Sequence, residues 1–115
     1  VAQRFRTSGS RHTGLVAPPQ KNMHLTAWEA GAQLVKVFPA RVFGPKYIKD
    51  IKGPLPQVEI MPVGGVSLEN ASDFIKNGAY ALGIGTALVN PEWTSKGDFD
   101  KLIKAAEAFV SAVKT

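Results

Sequence analysis

Lys36 stands inside an apolar, strand-like run, Leu34-Val35-Lys36-Val37-Phe38-Pro39-Ala40. Strand side chains alternate, so Leu34, Lys36 and Phe38 share one side and Val35 and Val37 the other. With apolar residues on both sides, the run reads as a parallel strand covered on both faces. A lysine placed there loses its water, and desolvation disfavours the charged form. The uncharged amine is the nucleophile that Schiff-base chemistry requires. The competing reading is an edge-strand lysine that carries its ammonium out to solvent. The residues downstream favour the first.

Two glycine segments follow. Pro62-Val63-Gly64-Gly65-Val66-Ser67 ends a second strand with a glycine pair, and Gly83-Ile84-Gly85-Thr86 ends a third. Glycine lets backbone amides approach a ligand without Cβ obstruction, and a helix starting just after the first pair would add its N-terminal field for an anion. Paired strand ends of this kind, in the last two βα units, match the standard phosphate site of a TIM barrel. Glycines at strand ends also simply make turns. Two such segments one unit apart, downstream of a covered lysine, favour a phosphate site at these strand ends.

Alternating strands and amphipathic helices must position these groups. Leu25 to Gly31 reads as a helix end closed by glycine, Gln33–Phe38 as a strand, and Gly44-Pro45 as the start of a helix running to about Lys52. Glu59–Val63 reads as the second strand. Ser67 is expected to cap a helix that ends at Asn77-Gly78, and Tyr80–Ile84 is the third strand. The final helix spans about Asp98 to Lys114, with Phe99, Leu102, Ile103, Ala106, Phe109, Val110 and Val113 on one face. Residues 1–24 show no period and carry Ser8-Gly9-Ser10, Gly14 and Pro18-Pro19, so they are expected to be an irregular tail. The fold class is α/β with a parallel sheet, open or part of a barrel.

Composition narrows the function classes. The chain has 115 residues, 44% of them apolar and 20% charged, the balance of one globular domain. There is no cysteine, hence no disulfide and no thiolate chemistry, which favours a reducing, cytoplasmic setting. No run approaches the ~18 to 20 apolar residues of a membrane span. The net charge of +5 concentrates in Arg4, Arg6, Arg11 and Lys21 of residues 1–24; the remainder holds ten basic and nine acidic residues, so a nucleic-acid surface is not expected there. No cluster has metal-ligand spacing. His12 and His24 are read as neither catalytic nor ligating, Trp28 and Trp93 as packing residues, and Lys46, Lys49 and Lys52 as a solvated helix face.

The segments GAQLVKVFPA, GPKYIKDIKGPLPQVEIMPVGGVSLEN and GAYALGIGTALV closely resemble the C-terminal part of the 2-keto-3-deoxy-6-phosphogluconate aldolases and their 4-hydroxy-2-oxoglutarate aldolase relatives. The resemblance covers about residues 25–115. It implies strands six to eight of a (βα)8 barrel, a homotrimer when full length, and a metal-free, cofactor-free class I aldol cleavage. By that resemblance Lys36 is the Schiff-base lysine, Phe38, Pro39 and Val63 shape the pocket, and Gly64, Gly65, Gly85 and Thr86 hold the substrate phosphate. Lys36 would attack the C2 ketone of 2-keto-3-deoxy-6-phosphogluconate, and the iminium would accept electrons as the C3–C4 bond breaks. The products would be pyruvate and glyceraldehyde 3-phosphate.

Departures are equally legible. A whole barrel takes on the order of 200 residues or more, and the family's general-base glutamate and carboxylate-binding arginine lie in early strands with no counterpart here. Glu29, Glu59 and Glu69 fall outside any such motif. Val16 to His24 replaces, without matching, the family's proline- and threonine-rich turn. With Val1 at the start, these gaps suggest a truncated or frame-shifted reading of a longer gene. Many relatives carry threonine where Val63 stands, and losing that hydroxyl could turn preference toward the galactonate epimer; an aldolase for 4-hydroxy-2-oxoglutarate is a further alternative. A phosphosugar-binding half-barrel without catalysis is the reading from a different class.

Overall fold

The computed structural model describes residues 3–6, 13–17 and 21–114. A four-stranded sheet runs in the order β1 (Gln3–Arg6), β2 (Thr13–Ala17), β3 (Leu34–Val37), β4 (Ile60–Pro62). β2, β3 and β4 are parallel, with Val16 opposite Lys36 and Lys36 opposite Met61. β1 is antiparallel to β2. The irregular tail expected for residues 1–24 is therefore corrected: the segment contributes two strands and the first turn of a helix. Its pairing is made by the backbone, and the short strands on either side of a glycine- and serine-rich stretch carry too weak a period to reveal it. The antiparallel edge also departs from a wholly parallel sheet.

Among the described residues five α-helices connect and cover the strands: α1 (Lys21–Glu29), α2 (Pro45–Lys52), α3 (Ala71–Lys76), α4 (Pro91–Ser95) and α5 (Phe99–Val113). α1 ends as expected at Gly31, whose φ of 93° is readily adopted by glycine. α2 starts on Pro45 and buries Ile48 and Ile51. α5 begins at Asp98, whose carboxylate accepts from the Lys101 amide. The core lies between the sheet and these helices, with Val35, Val37, Ile48, Ile51, Val58, Ile60 and Phe74 at its centre. Trp28 packs against it as expected, while Trp93 is half-buried outside that cluster. His12 lies outside the described residues. Among the described residues, no helix is long and apolar enough to cross a membrane.

Two expected elements are shorter than their sequence suggests. Tyr80–Ile84 is not a strand. Among the described residues it meets β4 through two amide bonds, Tyr80 N to Ile60 O and Gly83 N to Pro62 O, and the residue after β4 through the single bridge Val63–Gly83. A strand with a neighbour on one side only holds half a ladder, and Tyr80 is 68% exposed. The helix expected from Ser67 begins at Ala71 instead: Ser67 and Asn70 close a turn on each other, Ser67 N donating to Asn70 Oδ1 at 2.8 Å. α5 also departs from expectation. Of its apolar face only Phe109 is fully buried, whereas Phe99, Ile103 and Val110 are at least half exposed.

That uncovered surface borders an apolar groove of about 500 Å³ between residues 75–88 and α5, lined in part by Ile84, Leu88, Phe109 and Val110. Exposed apolar area of this kind favours association. The chain is expected to sediment as more than a monomer at micromolar concentration, and Val110→Glu to shift it toward monomer.

His24 is fully buried in α1, bonded through Nε2 to the Tyr47 hydroxyl at 3.2 Å, and its Nδ1 has no hydrogen-bond partner among the described residues. Burial holds its pKa below the ordinary 6.5. The unfolded chain therefore binds a proton that the folded chain refuses. His24's contribution is intact above pH 6.5 and is lost as pH falls below it, by at most about 1.4 kcal/mol per pH unit. Urea unfolding at a series of pH values is expected to show this loss, and His24→Gln to flatten it.

Candidate active site

β3 and β4 lie side by side, and their pairing continues beyond the strand ends. Val63 N donates to Val37 O at 2.9 Å, Ala40 N to Val63 O at 2.8 Å, and Arg41 N to Gly64 O at 3.0 Å. These bonds moor residues 37–41, and with them the start of the short 3-10 turn Ala40–Val42, against the glycine pair. A cleft of about 380 Å³ opens there, lined by Phe38, Val63, Gly64, Gly65, Gly85 and Thr86, together with Arg41, Val66, Ser67 and Ala87. The structure thus brings together six of the residues singled out in the sequence.

Lys36 and Pro39 adjoin the cleft without lining it. Lys36 Nζ lies 5.7 Å from the centroid of the Phe38 ring, which itself forms one wall. Lys36 is half-buried rather than covered. On β3 only the Val35/Val37 side is sealed, at 0% and 1% exposure, while Phe38 on the lysine side is 49% exposed. The expected two-sided burial is corrected accordingly: the described residues pack on one face of this strand. Pro39 is half-buried, and its Cα lies beside Gly64.

The glycine pair does more than bare its amides. Gly64 and Gly65 adopt φ of 91° and 81°, a region L side chains rarely occupy. A Cβ on Gly64 would stand 2.8 Å from Phe38 Cε2, and one on Gly65 would stand 2.5 Å from Arg41 Cβ. Each missing side chain is the seat of a neighbour. The anticipated helix field is not available at this point, because α3 is short and begins at Ala71.

Arg41 was not apparent in the sequence. It follows Pro39-Ala40 in an irregular stretch, and its place on the cleft is fixed by the cross-strand bond to Gly64, a non-local pairing. The other candidate groups stay apart. Glu29, Glu59 and Glu69 do not line the cleft. Lys46 and Lys49 are exposed, as expected of a solvated face, whereas Lys52 turns inward to Pro56 O at 2.8 Å and Val58 O at 2.9 Å. Among the described residues no three His, Cys, Asp or Glu side chains gather at metal-binding distance.

This α/β frame, with a lysine strand and a glycine-lined cleft, has close counterparts. The family described as KDPG and KHG aldolase matches residues 13–105. The 2-dehydro-3-deoxy-6-phosphogalactonate aldolase of Escherichia coli K12 is 39% identical over 90 residues, covering 77% of this chain and 42% of that protein. The 2-dehydro-3-deoxy-phosphogluconate aldolase of Haemophilus influenzae is 30% identical over 89 residues, covering 76% of this chain and 42% of that protein. A solved structure described as "Native KDPGal structure" superposes with a TM-score of 0.69 at 33% identity, over 84% of this chain and 47% of that one. The chain belongs to the KDPG and KHG aldolase family, whose named members are carbon–carbon lyases. It spans about two fifths of the length of the curated relatives it matches.

Gly64→Ala forces a Cβ into the Phe38 ring at an unfavourable φ and is expected to cost about 1–3 kcal/mol in urea unfolding. Gly85→Ala meets nothing within 4 Å and is expected to change stability by less than about 0.5 kcal/mol.

Proposed function

We propose that this chain carries the Schiff-base lysine and phosphate cradle of a class I aldolase acting on a phosphorylated 2-keto-3-deoxy sugar acid, and that it corresponds to the C-terminal half of a (βα)8 barrel. The observation that carries this reading is the shared wall: Lys36 Nζ lies over Phe38, and Phe38 lines the cleft with Gly64, Gly65, Gly85 and Thr86. An amine at one end and bare amides at the other suit a molecule with a ketone and a phosphate. In the proposed reaction Lys36 condenses with the C2 ketone and releases water. The iminium then accepts the electron pair of the C3–C4 bond as the C4 hydroxyl loses its proton to a base. Glyceraldehyde 3-phosphate departs, and the enamine is protonated and hydrolysed to pyruvate. No metal or cofactor enters this scheme.

Val63 borders the cleft with a side chain that cannot hydrogen-bond, which leaves a substrate hydroxyl unrecognised on that side. Together with the 39% identity to a phosphogalactonate aldolase, this supports 2-keto-3-deoxy-6-phosphogalactonate as the preferred epimer, with the gluconate epimer and 4-hydroxy-2-oxoglutarate as alternatives. A homotrimer in the cytoplasm is the assembly and setting we propose for the full-length protein.

A second reading has its own observation. No carboxylate lines the cleft among the described residues, so the base that takes the C4 proton must come from elsewhere. On this reading the chain as given binds phosphosugars without turning them over.

Borohydride reduction in the presence of pyruvate tests the chemistry. Mass spectrometry is expected to locate one carboxyethyl group on Lys36, and Lys36→Ala to abolish it; an adduct retained in that variant overturns the assignment. Adduct formation with no pyruvate released from the phosphorylated keto acid would favour the binding-only reading.

A further inference from the structure

A phosphate dianion held only by backbone amides and hydroxyls lacks a countercharge. Here the usual supplement is missing: α3 is too short and starts too late to turn its N-terminus on the glycine pair. Of the residues lining the cleft, Arg41 alone carries charge. Its place is built rather than incidental. The Arg41 amide donates to Gly64 O at 3.0 Å, and its Cβ, Cγ and Cδ lie 2.5, 3.3 and 3.4 Å from where a Gly65 Cβ would stand. The stem thus occupies the space Gly65 leaves vacant. Among the described residues no carboxylate forms an ion pair with it.

We propose that Arg41 is a specificity-determining residue of this cleft, its guanidinium supplying the positive charge that selects a phosphate monoester over an uncharged terminus. A planar guanidinium can give two parallel N–H bonds to phosphate oxygens, which an ammonium cannot reproduce. Gly65 then has a purpose beyond an open amide, since any side chain there would displace the arginine stem. This assignment rests on the phosphate-cradle reading and does not depend on Lys36 forming a Schiff base.

Calorimetric titration of the whole chain with inorganic phosphate tests it. Arg41→Met keeps a stem over Gly65 and removes the charge; it is expected to raise the phosphate Kd about tenfold and to flatten its dependence on salt. Arg41→Lys is expected to recover part of the loss. Far-UV circular dichroism and the thermal midpoint establish that each variant folds as the parent does. Phosphate affinity unchanged in Arg41→Met overturns the proposal, and so does a parent chain that binds no phosphate. Pyruvate trapping on the parent separates the two readings. Phosphate binding that depends on Arg41, without an adduct at Lys36, sustains the arginine's role and removes the aldolase chemistry. An adduct at Lys36 with phosphate binding indifferent to Arg41 does the reverse.

Discussion

The cross-strand bonds that outlast the strands are the constraint on which the rest depends. β3 and β4 are four and three residues long, yet Ala40 N to Val63 O and Arg41 N to Gly64 O extend their pairing past both C-terminal ends. Chain that would otherwise be loop is thereby held to the geometry of a sheet. This tether brings the wall carrying Phe38 against a glycine pair belonging to a segment more than twenty residues away. Without it, Gly64 and Gly65 would be an ordinary left-handed turn. With it, their missing side chains become two seats, one for an aromatic ring and one for a cationic stem.

The electrostatic consequence is an uneven distribution of charge around the cleft. Backbone amides and the Ser67 and Thr86 hydroxyls share the lining with apolar side chains, Arg41 lies at the glycine pair, and Lys36 Nζ lies over the Phe38 ring. A doubly functional ligand with an anionic end and a carbonyl end would be oriented by this asymmetry before any chemistry begins. The relatives named as 2-dehydro-3-deoxy-6-phosphogalactonate and 2-dehydro-3-deoxy-phosphogluconate aldolases carry in those names a molecule with the same two ends, a keto group and a phosphate. Phe38 is the residue common to the lysine and the cleft.

Much of this was legible in the sequence because local signals carry it. Pro45 after Gly44, the closing Gly31 and the capped start of α5 are short-range features, and they appear where the residues place them. The lysine strand and both glycine segments were recognisable from residue type and order. What escaped was non-local. β1 and β2 exist through backbone pairing that their side chains do not advertise. The span Tyr80–Ile84 has the composition of a strand but has no second neighbour among the described residues. The Leu34/Lys36/Phe38 side of β3 looked sealed because apolarity was read as burial, whereas burial depends on what packs there. Arg41 was invisible for the same reason as the tether that positions it.

The thin attachment of Tyr80–Ile84 bears on how any occupant is held. That span leads directly into Gly85 and Thr86, so among the described residues one side of the cleft hangs on two amide bonds and a single bridge, while the opposite side is moored by a continuous ladder. A guest touching both sides must stiffen the looser one, and the entropy lost in doing so subtracts from its affinity. Any neighbour that completed the ladder would meet that entropic cost in advance. Ligand capture and quaternary completion would then be thermodynamically linked, each tightening the other across the same few residues.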